Sequence, residues 1–310
     1  MNRIRLKVMS VIVLTALCLG VSNAQESKMF TMLPMGDEAF SVIREVFEYD
    51  PTLPLDARIV GQEKRDGYIR EKVSFNGILG ERVPAYLAIP ADKPGPFPCI
   101  IMLHGLSVSK DIWWEAENDH SGLLLTEGLL SRGYAVLTAD DWYHGERMIR
   151  NDYENPMTLL WNPDTHNRFR RMLTNSTVDM RRALDYLETR QEIDMTRIGA
   201  IGYSMGGIMT FQLAALDERV RVGISCVGPH RIPNTLLDVF SAYQFAPRID
   251  KPFMVLMGRK DTRLYTVADA ERLHELIASP MSELKLYDSG HRLPSSYTAD
   301  AIGWFEKHLK

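Results

Sequence analysis

Cysteine is scarce in this 310-residue chain, and its three thiols, Cys18, Cys99 and Cys226, lack the paired spacing of a zinc site. A scaffold stapled by several disulfides is excluded with it. Charge of one sign is lacking too: 36 basic against 40 acidic residues leave a net charge of −4 with the signs interspersed, so there is no basic footprint for nucleic acid. No glycine-rich phosphate loop, internal repeat or low-complexity tract is present, and no metal ligand set stands out. Long apolar runs are confined to Val8 through Leu19, shorter than the roughly 20 residues that span a bilayer. With Arg3, Arg5 and Lys7 ahead of it and Ser22-Asn23-Ala24 behind, that run reads as a secretory signal cleaved before Gln25. An extracytoplasmic protein, periplasmic or secreted and without a membrane span after cleavage, is the expectation. Cys18 leaves with the signal, and Cys99 and Cys226 each fall inside an apolar strand pattern, which predicts two buried free thiols.

What remains is 45% hydrophobic and 25% charged over the whole chain, enough apolar surface for one large core. Phe40, Ile43 and Phe47 at helical spacing predict a helix over Asp37 to Tyr49 lying across a sheet. Tyr68 to Phe75 and Arg82 to Ile89 read as a hairpin at the sheet edge. Pro98 to Leu103, Tyr134 to Ala139, Ile198 to Ile201, Val220 to Val227, Phe253 to Met257 and Leu284 to Tyr287 are further strands. Helical patterns alternate with them at Gly122 to Arg132, Thr177 to Arg190 with Ser176 as N-cap, Met205 to Leu216, Val267 to Ala278 and Ala299 to Leu309. Such alternation implies a parallel sheet. Trp142 to Leu173 shows little periodicity, is long for a connection, and reads as a partial cover over a site.

Gly202-Tyr203-Ser204-Met205-Gly206 places one serine at a sharp turn between a strand and a helix, where its hydroxyl projects and a Cβ on either flanking glycine would clash. A neutral serine acting as nucleophile needs a base and an acid that orients the base. His291 follows the last strand and is the expected base, with His230 after the Val220 to Val227 strand as its rival. His120, His166, His274 and His308 read as structural or surface residues, and His104 as support for the turn before Gly105. Asp261, just beyond the Phe253 to Met257 strand, is the expected acid, with Asp238 and Asp288 as alternatives. The backbone N–H groups of Met205 and Leu106 are the expected pair of oxyanion donors. Trp161, Phe169 and His230 are candidate substrate contacts; Arg147, Arg150, Arg168, Arg170 and Arg171 could meet an anionic group or form a solvated basic surface.

His104-Gly105 at a strand end, the Gly202 to Gly206 elbow, Asp261 and Gly290-His291, taken together, resemble the α/β-hydrolase superfamily from about Tyr68 to Lys310. Val83-Pro84-Ala85-Tyr86-Leu87 and Gly290-His291-Arg292-Leu293-Pro294 are similar to its branch of dienelactone hydrolases and acetyl xylan esterases. The resemblance implies a mostly parallel sheet of about eight strands flanked by helices, a triad above the strand ends, and no metal or organic cofactor. Dienelactone hydrolases proper carry cysteine at the elbow, so Ser204 points to ordinary ester cleavage of a small-molecule or carbohydrate ester. The expected layout is a signal over 1–24, a helical extension over 25–67 and a catalytic domain over 68–310 with its cover at 142–173. A small secreted peptidase, or a binding protein on the same fold without activity, are the other readings.

Overall fold

A computed structural model describes residues 32–228, 238–261 and 266–310. The expected signal segment and His230 lie outside the described residues.

Among the described residues, nine strands form one sheet. In chain order they are β1 (Arg58–Arg65), β2 (Tyr68–Asn76), β3 (Arg82–Pro90), β4 (Phe97–Leu103), β5 (Ala135–Ala139), β6 (Ile193–Tyr203), β7 (Val220–Cys226), β8 (Phe253–Gly258) and β9 (Ser282–Tyr287). Across the sheet the order is β1-β2-β3-β5-β4-β6-β7-β8-β9, with β1, β2 and β3 antiparallel to their neighbours and β5 through β9 parallel. The ninth strand is β1, which lies in the segment expected to be a helical extension and displaces the β2–β3 hairpin from the edge. All eight of its residues are exposed, so main-chain pairing with β2 holds it and no burial pattern marks it in sequence.

The helices are α1 (Asp37–Glu45), α2 (Gly122–Ser131), α3 (Met157–Trp161), α4 (His166–Glu188), α5 (Met205–Leu216), α6 (Ala242–Phe245), α7 (Val267–Glu275) and α8 (Tyr297–His308). Every residue of β4, β5 and β8 is buried, as strands covered on both faces must be. Leu125 and Leu129 of α2 and Ala301 and Phe305 of α8 join Ile100, Met102, Val136 and Ile224 in one core. Side chains alternate along a strand, so the intervening residues turn to the opposite face, where α5 packs on β6 and β7 and α4 packs on α5.

Two local expectations are corrected. Ser176 is no N-cap: α4 begins ten residues earlier, and Ser176 lies buried within it, where its Oγ accepts the Trp142 N–H at 2.9 Å. Helix α1 ends at Glu45 and leans on an aromatic ring of α6 rather than on the sheet: Phe40 lies edge-on to Phe245 at 5.4 Å, and Phe47, just past the helix, at 5.7 Å. Cys99 and Cys226 are buried and unbridged, and burial pushes both thiols up, which keeps them protonated.

Candidate active site

The parallel register brings several strand ends to one edge: Leu103 pairs with Gly202, Tyr203 with Cys226, and Gly258 with Tyr287. Residues just beyond those ends therefore converge without any long loop. Ser204 leaves β6 at φ 56° and ψ −112°, a conformation that costs of order 1–3 kcal/mol for a residue with a side chain. Its own N–H is held by the Cys226 carbonyl at 2.9 Å. A Cβ on Gly202 would lie 2.0 Å from the Gly206 oxygen, and one on Gly206 would lie 2.3 Å from the Leu103 oxygen, so only glycine lets α5 start this close to β4 and β6.

His291 Nε2 lies 3.0 Å from Ser204 Oγ, and His291 Nδ1 lies 2.5 Å from Asp261 Oδ2. Asp261 is 4% exposed while the His291 side chain is 38% exposed, so the carboxylate is shielded and the imidazole faces the open side. The Asp261–His291 contact depends on a tight approach of two loops: a Cβ on Gly258 would lie 2.1 Å from the Gly290 oxygen. Tyr203, the residue before the serine, holds the loop from below. Its hydroxyl donates to the His291 carbonyl at 2.9 Å and accepts the Leu293 N–H at 2.8 Å. The sequence pattern assigns no role to Tyr203 or Gly258, although the position of Tyr203 at the last residue of an apolar strand is a signal for a buried hydroxyl that needs partners.

Met205 opens α5, and the first N–H groups of a helix have no intrahelical acceptor. Gly105 lies against the same elbow, since a Cβ on it would be 3.4 Å from the Tyr203 oxygen. The Leu106 N–H thus belongs to the loop beside Ser204. Buried titratable groups surround that loop, among them His104, Asp141, His144 and His120. His104 Nδ1 donates to the Gly105 carbonyl at 2.8 Å and its Nε2 accepts the Asp141 N–H at 3.1 Å. That Nε2 cannot also carry a proton toward Asp141 Oδ2, 3.4 Å away, so the two side chains are not an ion pair. Burial pushes the Asp141 carboxyl up to about 6, and burial with His104 nearby holds His144 well below the imidazole range. His120 is pushed down to about 3, first by burial and then by His104 and His291.

Residues 83–297 match the dienelactone hydrolase family. The chain belongs to that family. It is 30% identical over 271 residues to YtaP of Bacillus subtilis (strain 168), an alignment that spans 83% of this chain and 80% of that protein. A second relative, 2,6-dihydropseudooxynicotine hydrolase of Paenarthrobacter nicotinovorans, is 30% identical over 153 residues, 48% of this chain and 33% of that one. In fold it is similar to the acetyl xylan esterase of a Paenibacillus species, with a TM-score of 0.69 at 20% identity, covering 90% of this chain and 97% of that chain.

In this family member the remaining predicted contacts divide. Trp161, at the end of α3, is 63% exposed and free to meet a ligand. Phe169 is 3% exposed inside α4 and offers no face to one. Arg147 is spent internally, on Asp179 Oδ2 at 2.8 Å and the Asp140 carbonyl at 3.1 Å, and Arg150 pairs with Glu81 at 2.9 Å. Arg168 donates to Asn151 Oδ1 at 2.5 Å, whereas Arg170 and Arg171 are exposed. The rival acid Asp288 is bound to Lys260 at 2.8 Å, and Asp238 accepts the Tyr243 hydroxyl at 2.5 Å. The supposed cover over 142–173 is largely helical: a 3-10 segment at Gly145–Asn151, then α3, then the first turns of α4.

Proposed function

We propose that this hydrolase-family chain is a serine carboxylesterase working through an acyl-enzyme. The observation that carries the reading is the unbroken relay from Ser204 Oγ through both His291 nitrogens to Asp261 Oδ2, on a serine held in a strained elbow. Ser204 attacks the ester carbonyl while His291 Nε2 takes its proton. The tetrahedral oxyanion is met by the Met205 and Leu106 N–H groups, donors worth about 2.7–4 kcal/mol each. His291 then protonates the leaving alcohol, and later takes a proton from the water that attacks the acyl-enzyme carbonyl, while Asp261 stabilises the charged imidazole.

Short acyl esters are the substrate class, and acetylated carbohydrate is favoured among them. Two observations support this: the similarity to acetyl xylan esterases, and an exposed Trp161 that can stack on a sugar ring. An extracytoplasmic location, after cleavage following Ala24, agrees with such a substrate, and N-terminal sequencing of protein from the periplasm or medium checks it.

A fluorophosphonate should label Ser204 of the folded protein and leave Ser204→Ala unlabelled. In a panel of 4-nitrophenyl esters, sugar acetates and peptide amides, esters should be turned over and amides not. Equal labelling after Ser204→Ala would sink the mechanism, and preferred cleavage of amides would make the protein a peptidase.

A further inference from the structure

The Leu106 amide belongs to a peptide unit whose other end is gripped by a side chain. His104 Nδ1 donates to the Gly105 oxygen at 2.8 Å, and that carbonyl shares one rigid trans plane with the Leu106 N–H. The two groups point in opposite directions, so fixing the oxygen fixes the aim of the N–H. Donation from Nδ1 requires Nε2 of a neutral ring to be an acceptor, and the Asp141 N–H occupies it at 3.1 Å.

The next peptide is held in the complementary way. The Ser107 N–H donates to His144 Nε2 at 3.3 Å, and His144 Nδ1 donates to the Trp142 carbonyl at 2.8 Å. Ser107 has φ +74°, a left-handed conformation that persists only where the surroundings enforce it, and its Oγ is tied to Asn155 Oδ1 at 2.7 Å. The two rings lie 4.9 Å apart, and His104 and His144 are 0% and 2% exposed. His120, close by, shows what a ring used as filler looks like. It packs between Trp113 and Tyr203 and neither nitrogen meets a hydrogen-bond partner. In His104 and His144 all four nitrogens are paired, each with a backbone group of this loop or of the segment after β5.

We propose that His104 and His144 form a two-point clamp on residues 105–107 that aims the Leu106 N–H at the oxyanion, with His144 the positioning residue supplied by the segment after β5. The proposal rests on the esterase reading. Backbone groups take the ring nitrogens, so the pair influences the reacting atoms only through Leu106. Burial, which disfavours a charged His144, keeps Nε2 available as an acceptor.

The test compares wild type, His144→Phe and His144→Gln on 4-nitrophenyl acetate and on its thionoester, with active sites counted by fluorophosphonate. Phe keeps the ring and loses both bonds, and should lower kcat by about 10- to 100-fold with KM changed by less than about threefold. The rate advantage of the oxygen ester over the thionoester should shrink with it, because amide donors favour an oxyanion over a thiolate. Gln can still accept the Ser107 N–H and should recover most of the loss. An unchanged oxygen-to-sulfur ratio per active site in His144→Phe would overturn the clamp, as would a kcat loss that only follows the folded fraction. Nitrogen NMR of the wild type tests the clamp without any variant: both rings should carry a proton at Nδ1 and none at Nε2, and an Nε2–H form of either overturns the proposal. Wild type that neither labels at Ser204 nor cleaves esters removes the esterase reading and the clamp together. Active wild type with an unaffected His144→Phe removes the clamp alone.

Discussion

His120 makes the protein sensitive to acid in a way that one substitution should abolish. Its ring is 6% exposed, stacked on Tyr203 at 4.1 Å and edge-on to Trp113 at 5.5 Å, with no partner for either nitrogen. Burial first, then His104 and His291, take it from 6.5 to about 3. A histidine whose folded pKa lies below its unfolded one resists the proton in the native state only. Its contribution is therefore whole above 6.5 and is lost as pH falls from 6.5 toward 3. Near pH 4 the unfolded ring is protonated and the folded one is not, a gap of about 2.5 pH units, or about 3 kcal/mol. His120→Phe keeps the stack and removes the titration. Any cost of fitting the extra ring carbon beside Gly105 is the same at every pH and cancels. Urea unfolding of both proteins from about pH 8 to about pH 4 should show the variant gaining about 3 kcal/mol on wild type. Parallel stability curves across that range would refute the reasoning and imply that the ring has a partner when charged.

Other consequences follow from the same geometry. Tyr203→Phe leaves the Leu293 N–H and the His291 carbonyl without their partner, which should cost about 1–3 kcal/mol in denaturant unfolding and lower kcat more than it changes KM. Asp141→Asn tests a shift of the opposite sign. A carboxyl raised from 3.8 to about 6 favours the native state below 3.8 and loses that benefit as pH rises through 6, so the variant should gain up to about 3 kcal/mol on wild type above neutrality and little near pH 4. Gly258→Ala drives a methyl into the Gly290 carbonyl and should cost about 1–3 kcal/mol while parting His291 from Asp261, seen as a kcat/KM loss of about 100-fold or more in protein with a native near-UV spectrum.

The convergence of Ser204, Asp261 and His291 was legible because each stands where a strand runs out, and a parallel sheet delivers those ends to one edge. The elbow announced itself through Gly202 and Gly206, whose need is local and steric. What stayed hidden depends on partners distant in sequence. Strand β1, Arg58–Arg65, buries no side chain, so hydrophobic periodicity has nothing to report. The start of α4 was masked because Ser176-Thr177 resembles a cap, when in the fold Ser176 is claimed by the Trp142 N–H. His144 has no apolar pattern around it, and its role exists only once the loops after β4 and β5 meet.

Those two loops meet through buried charge. Lys110 is fully buried; burial opposes its charge, yet Asp140 at 2.9 Å and Glu146 at 2.7 Å raise its pKa above the ordinary range. Asp140 also accepts the N–H groups of Lys110 and Glu146. One step along, Asp179 of α4 receives Arg147, the Trp142 indole and the Ile78 N–H. Opening either buried pair, Lys110 with Asp140 or Arg147 with Asp179, strands a charge in a dry environment, a penalty of about 3–5 kcal/mol. The stretch from Asp140 to Arg147 is therefore held as a fixed support behind residues 105–107 rather than as a hinged cover. Side chains able to vary without disturbing it lie further along, where Ile149, Tyr153 and Trp161 are exposed by 60%, 70% and 63%. Variation in that outer stretch leaves in place the buried charges and the His144 contact with Ser107 that they flank.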